Sequence, residues 1–218
     1  YGAFATYYSS IGLDENDLYH SPIYWDNADV FKIVHVSNAI NDDAKGHSTV
    51  IKIARLLKEN GINFKIDFIG DGTKVSEYKD AIEKYGLQND VQFVGRIVGR
   101  KQLLEKLREY NLMLLPTKME GLPRTIIEAC AVGLPCLSSP TAGVVELVEK
   151  EYLFDPEDAV GFSNKIQSLL HNPNEIVLMS QNNLLKAAKF TSNILEVRRT
   201  EMYRKLKDKT KLFLDKRE

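Results

Sequence analysis

Cysteine is nearly absent. The two present in 218 residues, Cys130 and Cys136, make neither a disulfide framework nor a metal-ligating cluster. Both stand in apolar stretches and read as small core residues in a reducing compartment, so a cytoplasmic location is expected. There is no Asp-x-Asp pair and no His/Cys spacing suited to a metal, so no metal and no cofactor are expected. No apolar run approaches the ~20 residues that span a bilayer, and no signal peptide is visible. Neither sign of charge dominates: 29 Lys and Arg face 30 Asp and Glu, a net charge of −1. That balance excludes a general polyanion binder, and nucleic acid is not expected as a partner. The chain starts at Tyr1 and not at a methionine, so further sequence is expected upstream.

What is present is an ordinary apolar fraction of 44%, enough for one large domain with a full core. From Phe31 onward, strand-like and helix-like runs alternate. The strand-like runs are Phe31–Val36, Phe64–Ile69, Val91–Val94, Leu112–Leu115, Leu134–Leu137 and a short Tyr152–Phe154. Between them, helical spacing predicts helices over Lys45–Asn60, Thr73–Tyr85, Lys101–Tyr110, Arg124–Val132 and Gly143–Lys150. Continuous apolar strands in strict alternation with helices predict a Rossmann-like parallel sheet covered on both faces. Such sheets bind ligands outside the carboxyl ends of their strands, which directs attention to the loops after Val36, Ile69, Val94, Leu115 and Leu137.

Beyond Asp155-Pro156 the pattern becomes wholly helical: Val160–His171, a helix after Asn172-Pro-Asn174 to about Phe190, and Asn193 to about Lys209. The resulting division is residues 1–30 as an interdomain linker or remnant of a preceding domain, 31–190 as the α/β domain, and 191–218 as a terminal helix with a basic tail. From Lys186 to Glu218 there are eleven Lys/Arg against five Asp/Glu. This excess is read either as a solvated helix face or as attraction to anionic lipid on the inner face of a membrane.

The most informative stretch is Leu115-Pro-Thr-Lys-Met-Glu-Gly-Leu-Pro-Arg-Thr-Ile-Ile-Glu-Ala-Cys-Ala-Val-Gly-Leu-Pro-Cys136. A buried strand ends, a loop holds Glu120-Gly121, and Pro123 falls in the expected first turn of a helix. The backbone N–H groups at that helix start, around Leu122 to Thr125, form an anion site in the crevice. Glu120 and Glu128 bracket it with seven residues between them. A carboxylate beside a phosphate would repel it, so these two suit neutral hydroxyls, such as those of a ribose and a sugar. An anion site between two hydroxyl-binding carboxylates describes a nucleotide-sugar pocket.

The run resembles the Glu-x7-Glu signature of family-4 retaining glycosyltransferases, whose two-domain fold is known as GT-B. Lys45-Gly46, Gly70-Asp-Gly72 and Val91-Gln-Phe-Val-Gly95 extend the likeness over roughly residues 31–171. The resemblance implies a nucleotide-diphospho-sugar donor of UDP or GDP type, transferred with retention and without a metal. It implies Glu128 on the ribose, Glu120 on the transferred sugar, and Gly121, Leu122, Pro123 and Arg124 around the diphosphate or sugar, Pro123 having no N–H to give. It implies Lys45 against the departing diphosphate and backbone near Ile97 facing the base. It also implies that this is a C-terminal, donor-binding part, inactive alone, whose last helix crosses back to an acceptor-binding domain. One departure stands out. The family often has an arginine after the first strand; here Asn38 lies in a longer, acidic loop, and Arg100 and Arg124 are the candidate replacements.

His35 and His47 are the tempting acid/base residues. His35, inside a strand, reads as a satisfied core residue; His47 lies near the predicted phosphate site without a catalytic role. Two other functions remain open: a GT-B-like nucleotide-sugar epimerase and a non-catalytic nucleotide-binding module. A dinucleotide-dependent dehydrogenase is disfavoured because Gly70-Asp-Gly72 lacks the third glycine of that fingerprint.

Overall fold

The computed structural model describes residues 11–26 and 30–214, the side chains of 211–214 excepted. The predicted segments outside that range, 1–10, 27–29 and the basic tail 215–218, lie beyond the described residues.

Five strands form one parallel sheet: β1 (Phe31–Ala39), β2 (Phe64–Asp71), β3 (Val91–Gly95), β4 (Leu112–Leu115) and β5 (Cys136–Ser138). Their order is β3-β2-β1-β4-β5. The register follows from apolar residues meeting across the ladders, Ile33 opposite both Ile66 and Leu112, and Met113 opposite Cys136. All four residues of β4 are buried, as expected of a central strand covered on both faces. The connecting helices are α1 (His47–Glu59), α2 (Val75–Lys84), α3 (Arg100–Leu107) and α4 (Arg124–Ala131). After β5 come α5 (Ala159–His171), α6 (Pro173–Ala187) and α7 (Ser192–Leu214). Helix α1 packs on α2 and α5, while α4 packs on α3 and α6, so the sheet is covered on both sides.

The chain builds the sheet outward from β1 through β3, then returns to lay β4 on the other side of β1. That reversal opens a crevice between the loops leaving β1 and β4. The β1 ladder slips between Val36 and Ala39, placing Ser37 and Asn38 in a bulge at the crevice floor. Gly70 of β2 makes the bulge sterically possible: a Cβ there would sit 1.7 Å from Ser37 O, and its φ of 144° suits glycine. The Gly70-Asp-Gly72 signal is thus explained by backbone packing behind β1.

Two expectations change. The helix over Gly143–Lys150 is instead a pair of 3-10 turns, Val144–Glu146 and Lys150–Tyr152. Tighter turns bring Val144, Leu147 and Val148 to the core within a few residues. The last strand at Tyr152–Phe154 reduces to a single bridge, Leu153 to Ser138, with Phe154 N donating to Ser138 O at 2.9 Å. The N-terminal stretch is tied to the domain over residues 11–25. Leu13 bridges Thr191, Tyr19 N donates to Ala131 O at 2.8 Å, and Trp25 stands edge-on to Phe31.

Candidate active site

A cavity of about 500 Å³ lies at the crevice between β1 and β4, within the roughly 300–1,000 Å³ usual for small-molecule sites. Its floor is Val36, Ser37 and Leu115, at the carboxyl ends of the two strands. Lys45, Ile97, Glu120, Arg124 and Glu128, five of the residues singled out from sequence, line it together. Gly121, Leu122 and Pro123 do not line it; they form the loop between Glu120 and α4. Ser37, Gly99, Leu103 and Thr125 are additional lining residues. Thr125 follows directly from the helix start, but Ser37 needed the bulge to bring it there, and no sequence pattern announces a bulge.

The loop after β1 is pinned on two sides. Lys118 N and Thr117 Oγ1 donate to Ala44 O at 2.9 and 3.2 Å. A Cβ on Gly46 would fall 2.1 Å from Pro116 O, so only glycine lets the two loops touch. Asp43 then holds the loop from within. Its carboxylate accepts from Ser48 N at 2.9 Å, Ser48 Oγ at 2.5 Å and Tyr78 Oη at 3.1 Å, and Lys118 stands 3.3 Å away. Burial pushes this carboxyl up, but the hydrogen bonds outweigh burial and hold it below the usual range. The result is that Lys45 reaches across and its ammonium donates to Glu120.

Pro123 is the residue before α4 and not its first helical residue. Its ψ of 114° is extended, and its carbonyl accepts the first ladder bond, from Ile127 N at 3.3 Å. The N–H groups of Arg124, Thr125 and Ile126 precede that ladder and have no partner within the helix. The unpaired N–H groups that open the helix therefore begin at Arg124, later than the Leu122 start expected from the sequence. Gly143 shapes the same loop, since a Cβ there would meet Gly121 O at 1.9 Å. Glu128 is half-buried one turn along α4. Burial raises its pKa, and Arg100 and Arg124 oppose the rise.

The histidines stand apart from the cavity, sealed between β1, β2, α1 and α2. Their ring centroids are 4.4 Å apart, and His47 stacks on Tyr78 at 5.1 Å and on Phe68 at 5.5 Å. His35 Nδ1 donates to Leu114 O at 2.8 Å, but its Nε2 has no partner, so His35 is only half satisfied. Both nitrogens of His47 are buried without a partner. Burial, reinforced by His47, holds the His35 pKa well below normal, and burial takes His47 to about 4. Neither ring lines the cavity.

Cys130 and Cys136 are unpaired and buried, and burial pushes the Cys130 thiol up to about 12. No group of three or more metal-ligating side chains occurs among the described residues. Among them, too, no helix is long and apolar enough to cross a membrane.

The sequence model of the family described as glycosyl transferases group 1 matches residues 27–189. Protein CapJ of Staphylococcus aureus is 36% identical over 124 residues, 57% of this chain and 32% of that one. The amylovoran biosynthesis glycosyltransferase AmsK of Erwinia amylovora is 35% identical over 113 residues, 49% of this chain and 28% of that one. The chain thus spans about a third or less of these relatives. Among solved structures, Anabaena Alr3699/HepE in complex with UDP and glucose superposes with a TM-score of 0.76 at 21% identity, over 89% of this chain and 55% of that one. The sucrose-phosphate synthase of Thermosynechococcus elongatus superposes with a TM-score of 0.75 at 21% identity, over 89% and 51%. These likenesses bear out the fold: a Rossmann-like parallel sheet of the GT-B kind, followed by C-terminal helices.

Proposed function

This chain belongs to the glycosyl transferases group 1 family, and on that premise we propose that it is the donor-binding part of a retaining enzyme that transfers a sugar from a nucleoside diphosphate. The observation that carries the reading is the convergence of Lys45, Glu120, Arg124 and Glu128 on one cavity at the switch point of the sheet. The N–H groups that open α4 take the diphosphate, and Glu128 accepts hydrogen bonds from the ribose hydroxyls. Glu120 faces the transferred sugar. Lys45 is held on Glu120 until a phosphate competes for it. Charge builds on the diphosphate as the glycosidic bond breaks, and Lys45 offsets it. This division of work needs no divalent ion.

That Alr3699/HepE was solved with UDP and glucose supports a UDP-type donor. The acceptor, a glycan, lipid or small molecule, would be held by sequence outside this chain, so transfer by this part alone should be slow or absent. The epimerase alternative needs acid/base groups beside the sugar. Of the carboxylates and histidines that could serve, His35 and His47 are sealed away from the cavity and Glu120 is engaged by Lys45, which favours transfer.

A thermal-shift panel of UDP-, GDP- and ADP-sugars tests the reading. Stabilisation grows with ligand excess over Kd, so one nucleotide class should raise the melting temperature in a concentration-dependent way. A flat response to every nucleotide at millimolar concentration would contradict it.

A further inference from the structure

The cavity walls carry three cations, Lys45, Arg100 and Arg124, and two carboxylates, Glu120 and Glu128. A nucleoside diphosphate brings two or more negative charges, so the cations not already engaged decide how it is held. Lys45 donates to Glu120. Arg100 Nη1 donates to Gly12 O at 2.6 Å and to Asp17 Oδ2 at 3.2 Å, which ties it to the N-terminal segment. Near the cavity, Arg96 donates to Asn38 O at 3.3 Å, and Lys118 lies between Asp43 and Glu157 at 3.3 and 3.1 Å. Arg124 is different. It is exposed and makes no hydrogen bond or ion pair among the described residues. Glu128 is four residues along the same helix, yet the two do not close to an ion pair. An arginine placed before a glutamate at that spacing is the poorer orientation for pairing on a helix.

We propose that the Arg124 side chain is the second cation for the diphosphate, taking with Lys45 the charge that Arg100 is not free to take. This rests on the donor-pocket reading above. Arg124 opens α4, so its guanidinium springs from the turn whose unpaired N–H groups face the same anion. A guanidinium fork meets two phosphate oxygens at once, which an ammonium cannot do. The acidic loop with Asn38 at the end of β1 then needs no arginine of its own.

The test is calorimetric titration of UDP and GDP into the wild-type chain and into Arg124→Ala, Arg124→Lys and Arg100→Ala, with the matching nucleoside followed by ligand-observed NMR. Arg124→Ala should weaken diphosphate binding about ten- to a hundredfold and leave the nucleoside unchanged, as loss of a charge-assisted contact requires. Arg124→Lys should recover part of the loss, and Arg100→Ala should cost less than Arg124→Ala. Diphosphate binding by Arg124→Ala within about threefold of wild type, an equal loss for the nucleoside, or a loss at Arg100 in place of Arg124 would overturn the assignment. Failure of the wild-type chain itself to bind any nucleoside diphosphate would instead sink the donor-pocket reading, and this assignment with it.

Discussion

Two clusters of polar side chains flank the carboxyl end of β1, and they have opposite characters. On one side is the cavity: about 500 Å³, lined by five charged side chains and reached by the start of a helix. On the other is the pair His35 and His47, packed against Phe68 and Tyr78 with three ring nitrogens unpaired. Imidazoles are the usual choice for acid/base work near neutral pH, so composition alone favours the second cluster. Volume and charge decide for the first. The histidines have no space beside them and are held neutral, whereas the carboxylates and cations border a space that can hold a ligand. A titratable group becomes a functional one by having room for a substrate.

The largest expected effect tests the sealed side. His47 titrates at about 4 in the folded protein because burial opposes its charge, Asp43 and Asp42 pulling weakly the other way; unfolded, it titrates near 6.5. Between those values the unfolded chain takes up a proton that the folded protein refuses, so stability rises with pH across that window. Stability is fully present above about pH 6.5 and falls by roughly 3 kcal/mol from His47 as the pH drops to about 4. His35, facing Leu114 O and the His47 ring, adds loss of the same sign. Melting curves from pH 7.5 to 4.5 should show this decline, and His47→Phe should shrink it by about half or more, since an apolar ring has no proton to refuse. An unchanged slope in the variant would show that the pair is not sealed as described.

The next effect tests the open side. Lys45→Ala should lower nucleoside diphosphate affinity about ten- to a hundredfold. It removes a cation and also leaves Glu120 uncompensated in the site. His47→Phe, two residues further along the chain but turned into the core, should leave that affinity within about twofold. Equal losses in the two variants would mean that both act through the fold and would erase the distinction between the clusters.

Much of the open side was legible in the sequence. The alternation of strands and helices placed Glu120, Arg124 and Glu128 at the end of a buried strand, and any parallel α/β sheet puts such a loop at the binding edge. Where Lys45 would go was harder to see. It lies 75 residues before Glu120, and their contact depends on β4 pairing with β1, on Gly46 yielding to Pro116, and on the Asp43 hydrogen bonds. Strand order is a long-range outcome that local periodicity does not encode. In the N-terminal stretch Leu13, Ile23 and Trp25 are spaced without period, so the sequence does not announce that they pack on the domain. They dock one at a time, and isolated anchors leave no repeating pattern. The three orphaned histidine nitrogens were likewise invisible, since a strand histidine is ordinarily satisfied.

On the proposed function, the cavity beside Glu128 binds the donor while the histidine pair only packs. Titration of the tightest nucleotide-sugar from the panel into wild type, Glu128→Gln and His47→Phe measures it directly. About a tenfold loss is expected for Glu128→Gln, whose amide keeps the shape but not the charge that strengthens hydroxyl hydrogen bonds, with unchanged affinity for His47→Phe. Full affinity in Glu128→Gln together with a loss in His47→Phe would contradict it.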